Sequence, residues 1–319
     1  MIINVLLFIA GLVLLIKGGD WFVDGASGIA KRFHVPELLI GATVVSIGTT
    51  LPEVMVSSLS AIEGVGGVAY GNAVGSIICN TALVSALTIA IKPSKVEKAP
   101  LRTPVFFFFA ATAVYLVAAY FFSFTRVVGV ILLAMFAAYM VMTVLQAKKE
   151  MENAPAKAEE AAGPFWKDIL LLVIGAVLIA VGAKLLVDNG IEIAAALGVP
   201  ESVIGLTFVA LGTSLPELVT AITALAKGHD ALSLGNVIGA NLFNIVLVCG
   251  VSTTLSPFEL PTEKTIAGFN SSLVMDLPVM VFVMAFMCLP ALIRGKLSRY
   301  QGIVLLAVYT GFIVLQFAI

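Results

Sequence analysis

The sequence predicts an all-α polytopic membrane protein, with ten transmembrane helices built as two inverted five-helix repeats. Three observations carry this. Apolar runs of about 20 residues recur from end to end, as bilayer-spanning helices require. Of the 319 residues 60% are hydrophobic and 12% charged, with a mean hydropathy of +1.10, whereas a soluble domain is about a quarter charged. Finally, a shift of 164 residues lays the second half of the chain over the first.

The first span covers residues 2–26. It has the apolar run of a signal peptide but no basic n-region, and the shift gives it a counterpart deep in the chain, so it is read as a mature helix. Spans at 37–62, 69–91, 104–122 and 127–147 complete the first half. The stretch "QAKKEMENAPAKAEEAAGP" is polar, charged and rich in Ala and Pro, and reads as a solvated linker. The second half holds spans at 166–188, 201–226, 231–255, 272–293 and 300–318. The expected division is therefore 1–147 for the first repeat, 148–165 for the linker and 166–319 for the second repeat.

Basic residues set orientation. With the N-terminus outside, fourteen fall in inner loops: Lys31, Arg32, Lys92, Lys95, Lys98, Arg102, Lys148, Lys149, Lys157, Lys167, Lys227, Arg294, Lys296 and Arg299. Only Arg126 and Lys264 fall outside. This bias predicts an external N-terminus and a cytoplasmic linker, in a plasma (inner) membrane. Lys17 and Lys184 lie within spans, and nearby Asp20, Asp24 and Asp188 are expected to partner them.

The repeat is dense around one motif. Gly41, Thr43, Val45, Gly48, Thr49, Leu51, Pro52 and Glu53 match Gly205, Thr207, Val209, Gly212, Thr213, Leu215, Pro216 and Glu217, eight identities in thirteen positions. Five spans per half is an odd number, so the second half enters the membrane from the opposite side. Inverted repeats with interrupted helices place a binding site near the midplane.

Glu53 lies deep in its span, where a carboxylate costs about 2.5–3.5 kcal/mol even on a lenient scale. It must have a partner or carry a proton. Pro52 removes a backbone donor and predicts a break near Gly48–Pro52. Freed carbonyls are tolerated only inside protein or along a watery cavity, and the hydroxyls of Thr49 and Thr50 stand beside them. The second copy supplies Thr213, Ser214, Pro216 and Glu217. No cationic side chain stands at this depth in the second, third, seventh or eighth spans, which points to a cation from solution. Carboxylate, hydroxyl, amide and carbonyl oxygens suit Ca²⁺ and Na⁺.

The third and eighth spans add "GNAVGSIICN" and "GNVIGANLFN". Asn72, Ser76 and Asn80 share one helix face; Asn236 and Asn244 match two of them, and Ala240 fills the middle position. Taken singly, each feature has a plainer reading: a proline kink, glycine packing, amide glue between helices or a protonated structural glutamate. Their joint repetition in inverted halves outweighs those readings. Cys79, Cys249 and Cys288 read as packing residues, and Asp276 as an acid in the first turn of a helix. His34 and His229 fall in short loops. No His-Glu-x-x-His pair, Ser/His set or nucleotide loop is present, so neither an enzyme nor a cofactor is expected, and no nucleic-acid partner.

At these motifs, "GATVVSIGTTLPE" and "GLTFVALGTSLPELVTA" with the two Asn-bearing stretches, the sequence resembles the sodium/calcium exchanger family of the cation/calcium antiporter superfamily. The resemblance implies that the second, third, seventh and eighth helices surround a row of cation sites. By motif position it assigns Thr49, Thr50, Glu53, Ser76 and Asn80 in the first repeat and Thr213, Ser214, Glu217 and Asn244 in the second. Backbone carbonyls near Ser46 and Ala210 would complete Na⁺ sites. Two positions depart from the family pattern. Ala240 stands where a serine would supply a hydroxyl, and Asn244 where potassium-dependent members have an acid. The implied function is Na⁺/Ca²⁺ antiport by alternating access. The first and sixth helices, glycine-bearing and peripheral, are expected to be the moving pair, and one copy the transport unit. A proton/calcium antiporter and a passive cation channel stay open as alternatives.

Overall fold

The computed structural model describes residues 2–121, 123–153, 164–197, 212–262 and 264–318. Among them nine helices are long and apolar enough to cross a bilayer, with Leu215–Ala226 as a shorter apolar helix. They are α1 Ile2–Arg32, α2 Glu37–Ile62, α3 Gly66–Ile91, α4 Lys98–Tyr120 and α5 Arg126–Asn153, then α6 Phe165–Ala196, α7 Leu215–Ala226, α8 Asp230–Leu255, α9 Ser272–Arg294 and α10 Arg299–Ala318. The protein is an integral membrane protein of helical repeats. Most of the linker, and the first part of the seventh span including Ala210, lie outside the described residues.

Burial ranks the helices. The spanning window of α8 is 89% buried and that of α3 72%, against 22% for α1, α5 and α6. α8 and α3 therefore form the centre, α2 flanks them, and α1, α5, α6 and α10 lie outermost. α1 and α6 reach 31 and 32 residues, longer than the sequence boundaries suggest. At 1.5 Å per residue each exceeds a hydrocarbon core of about 30 Å, so their polar ends emerge from it.

α1 and α6 cross along a seam of glycines. A Cβ on Gly11 would stand 2.8 Å from the Gly182 carbonyl, and one on Gly18 would stand 2.8 Å from the Ile179 amide. A Cβ on Gly175 would meet the Phe22 amide at 2.5 Å. As α1 advances its partners on α6 recede, so the two run antiparallel. Gly11 and Gly18 are the 164-shift equivalents of Gly175 and Gly182, and each touches the other's counterpart. That reciprocity is a two-fold relation between oppositely inserted repeats.

The loops sort onto two faces. On one, strands β1 (Ser123–Phe124) and β2 (Phe258–Glu259) pair, and Lys264 bonds the Gln316 carbonyl near the end of α10 at 3.1 Å. On the other, Lys92 pairs with Asp230 at 2.9 Å, Arg32 with Asp168 at 3.1 Å, and Lys95 bridges Lys296. Lys184 pairs with Asp188 at 3.0 Å as expected. Asp20 and Asp24, assigned to Lys17 by proximity in sequence, instead pair with Lys227 at 3.4 and 2.8 Å. Lys227 caps the C-terminal end of α7, where the helix dipole favours a cation.

The glycine seam leaves no room for a side chain. Gly18→Leu should destabilise the protein by about 1–3 kcal/mol through overpacking. Thermal unfolding in detergent checks this: a midpoint within a degree of the wild type would show that α1 and α6 are not held this closely.

Candidate functional site

α2, α3, α7 and α8 converge at the centre, and each departs from regular helix near the repeated motifs. In α2 the helix runs on through Pro52, so the break predicted at Gly48–Pro52 is not there. The irregularity lies upstream as a π turn, Gly41–Val45. Side chains fix it there by meeting its loose carbonyls. Thr43 donates to Leu39 O at 2.6 Å, Ser46 to Gly41 O at 2.8 Å, and the Tyr139 phenol to Ala42 O at 2.8 Å. The second copy does break: Thr213 and Ser214 form a turn, and α7 starts at Leu215. Pro216 then sits in the first turn, where its missing N–H has no helical partner to lose.

α3 and α8 carry matched π turns, Asn80–Ser85 and Asn244–Cys249, each opening on an asparagine. π turns concentrate at functional positions. The pattern of side-chain types gave no warning of these turns beyond the repetition of the two asparagines.

Glu53 and Glu217 are fully buried within electrostatic reach of each other. None of their four carboxylate oxygens makes a hydrogen bond. Thr49 and Thr50 lie next to the Glu217 carboxyl. Around them, Thr50, Asn80, Ser214 and Asn244 are buried with side-chain oxygens lacking partners. Ser76, one turn before Asn80, lines a cavity with Asn72 and Thr213. The fold thus brings both halves of the motif to one centre. Ala240 is buried there too, beside Gly239, where a Cβ would run into Ser46 and Ala42. Ala210 lies outside the described residues.

Two residues outside the ligand set prove structural to it. Thr49 donates to Asn236 Oδ1 at 3.2 Å, and Thr213 donates to Asn72 Oδ1 at 3.3 Å. The shift of 164 converts one pair into the other, so these are reciprocal bonds across the two-fold. Ser46 adds a bond to the Asn236 carbonyl at 3.0 Å, and Asn72 Nδ2 donates to the Glu53 carbonyl at 3.3 Å. The only advance signal was that the offset pairing Thr49 with Thr213 also pairs Asn72 with Asn236. Asn241, by contrast, is amide glue: it donates to Thr81 Oγ1 at 2.7 Å and to the Met284 thioether. Cys79 packs close to Ser214 and both glutamates.

Chemically, the centre offers two carboxylates and a ring of neutral oxygens, with no ammonium or guanidinium. Bare buried charge of this kind costs many kcal/mol unless neutralised. Among the described residues no group of three His, Cys, Asp or Glu side chains is placed to hold a metal ion by itself. Hard oxygen donors select alkali and alkaline-earth cations.

Known proteins share this chain's length and shape. A family model described as sodium/calcium exchanger protein matches residues 3–145 and 167–318. The chain is 34% identical to the putative antiporter CaxA of Alkalimonas amylolytica, with 100% of both covered. It is 31% identical to the sodium/calcium exchanger MaX1 of Methanosarcina acetivorans, with 99% of both covered. A solved structure of the sodium-calcium exchanger NCX_Mj, soaked with Na⁺ and Ca²⁺, superposes with a TM-score of 0.83 at 33% identity, covering 98% of each chain.

Thr49→Val and Asn236→Ala each remove one side of a buried bond and should each cost about 1–3 kcal/mol. The double variant should cost clearly less than the sum. A double-mutant cycle on thermal stability checks this, and additivity would show that the cross-repeat bond is not made.

Proposed function

From the premise that the chain belongs to the sodium/calcium exchanger family, we propose that it exchanges Na⁺ for Ca²⁺ by alternating access, with Glu53 and Glu217 as shared ligands. Cation/Ca²⁺ antiport follows from the family and the matching fold. The choice of Na⁺ as the counter-ion rests on the resemblance of the motifs and on the relatives' names.

One observation carries the assignment of ligands: four buried carboxylate oxygens without a donor. They demand positive charge, and either one Ca²⁺ or several Na⁺ ions satisfies them. The two loads compete for the same oxygens, and only a loaded site is neutral enough to pass a low-dielectric barrier. Thr49, Thr50, Ser76 and Asn80 would complete the shell from the first repeat, and Thr213, Ser214 and Asn244 from the second. Carbonyls at Ser46 and Ala210 would serve Na⁺.

The asymmetry of the two repeats supports the transport cycle. α2 closes its half of the path by packing residues 38–46 onto Gly235 and Gly239 of α8. On the opposite face a cavity of about 390 Å³ reaches Asn72, Ser76 and Thr213. Alternating access would exchange these arrangements between 1–147 and 166–319, with α1 and α6 sliding along their seam. The face gathering Lys31, Lys92, Lys227, Lys296 and Arg299 would be cytoplasmic, which puts the N-terminus outside and linker 148–165 inside. A plasma (inner) membrane and a single-copy transport unit complete the reading.

Ala240, lacking the hydroxyl, favours a second reading in which protons replace some of the sodium. The two are separable in vesicles. Na⁺-gradient-driven ⁴⁵Ca²⁺ uptake should fall about a hundredfold or more in Glu53→Gln and in Glu217→Gln, matching the roughly 3–5 kcal/mol of losing one partner in a buried charged cluster. Retained uptake in either variant would remove both carboxylates from the mechanism. A pH gradient that drives Ca²⁺ flux without Na⁺ would replace sodium by protons. Ala240→Ser should restore a Na⁺ ligand and lower the Na⁺ concentration for half-maximal exchange by about twofold to fivefold, the size of one modest oxygen contact. An unchanged Na⁺ dependence would show that position 240 faces no Na⁺ site.

A further inference from the structure

We infer that the cavity on the Lys264 face holds a second, outer cation subsite built on Asp276, which takes a divalent cation from bulk solution before it reaches the central carboxylates. This rests on the reading that Glu53 and Glu217 bind transported cations. Asp276 was expected to be an acid in the first turn of a helix. It does close the first turn of α9, a π turn at Ser272–Asp276, and it also lines the same cavity as Ser76 and Thr213. It is the charged residue among those lining residues.

The site is built rather than incidental. Gln316 Nε2 donates to Asp276 Oδ1 at 2.7 Å and so fixes the carboxylate. Tyr70, buried at 3% exposure, is one of the walls of the cavity, with its hydroxyl beside Ser272. It lies within electrostatic reach of Asp276. The Asp276 carboxylate with the hydroxyl and amide oxygens of Ser76, Thr213, Asn72 and Gln316 in the same lining forms a hard donor set, and a cavity of about 390 Å³ admits an ion with hydration water. Lys264 opposes them. Its Nζ bonds Gln316 O at 3.1 Å and approaches Gln316 Oε1 at 3.5 Å, and its charge reaches Asp276.

The subsite is one-sided. α4 and α9 begin at residues 98 and 272, and an offset of 174 between them pairs Pro104 with Pro278, Val105 with Val279, Phe108 with Phe282 and Ala111 with Ala285. At that offset the counterpart of Asp276 is Arg102. One face therefore attracts cations where its equivalent repels them, within a frame that is otherwise two-fold.

The test is Ca²⁺ flux by the full chain in vesicles, with Ca²⁺ offered to one face or the other. Asp276→Asn should raise the KM for Ca²⁺ at the Lys264 face about fivefold, the influence of one charge on a divalent ion across roughly 10 Å of water. It should leave KM at the opposite face unmoved, and the effect should shrink at high ionic strength. Lys264→Gln, at an exposed position, should lower the same KM, and it reads the sign even if Asp276→Asn folds poorly. No change in either variant, or equal changes at both faces, overturns the inference while wild-type flux leaves the central reading intact. Absence of any wild-type Ca²⁺ flux sinks the central reading and this one with it.

Discussion

Two fully buried glutamates lie within electrostatic reach of each other at the centre of a membrane protein, with no hydrogen bond closed on any of their four oxygens although Thr49 and Thr50 stand beside Glu217. Everything nearby is arranged around that tension. Both residues are fully buried, and among the described residues no ammonium or guanidinium pairs with them. A built-in Arg or Lys would have stabilised the fold and closed the site to traffic. On the proposed reading, leaving the carboxylates uncompensated trades resident stability for the capacity to bind and release charge. The surrounding Thr, Ser and Asn side chains would then supply neutral oxygens without adding fixed charge.

Such a centre needs a frame that stays put while its two ends alternate. The reciprocal Thr49–Asn236 and Thr213–Asn72 bonds tie each repeat to the other across the two-fold. The π turns of α3 and α8 begin at equivalent asparagines, turning both amides toward the interior without breaking either helix. Along the α1–α6 seam glycine backbones come into direct contact between the buried side chains of Leu15, Phe22, Ile179 and Ala183.

Much of this was legible in the chain. The helical membrane architecture and the inverted repeat followed from hydropathy and one constant offset, because those features are local or periodic. Glu53 and Glu217 stood out since a charge deep in an apolar run has few explanations. What could not be read were features decided by distant partners. The helix irregularity of α2 moved from Pro52 to Gly41–Val45 because Tyr139, on another helix, closes the carbonyl of Ala42. Asp20 and Asp24 found Lys227 rather than Lys17 because α7 ends beside them. Asn72 and Asn236 looked like ordinary interhelical amides until the fold set each opposite a threonine of the other repeat.

The two copies of one motif adopt different backbones, and this difference is itself informative. G-T-T-L-P-E lies within continuous helix in α2, whereas G-T-S-L-P-E turns at Thr213–Ser214 before α7 begins. The sequences are nearly identical, so intrinsic propensity cannot separate them. Tertiary contacts must do so: α2 is held by three hydroxyl-to-carbonyl bonds and by tight glycine contacts on α8. A segment whose sequence tolerates both conformations, and whose state is set by which partners it meets, is a two-state element in the sense that conformational switching requires. Inverting the repeat places one copy of that element at each mouth of the path. Under the alternating access proposed above, a symmetric assembly would open both mouths or neither, and the departure from symmetry would let one carboxylate pair face one side at a time.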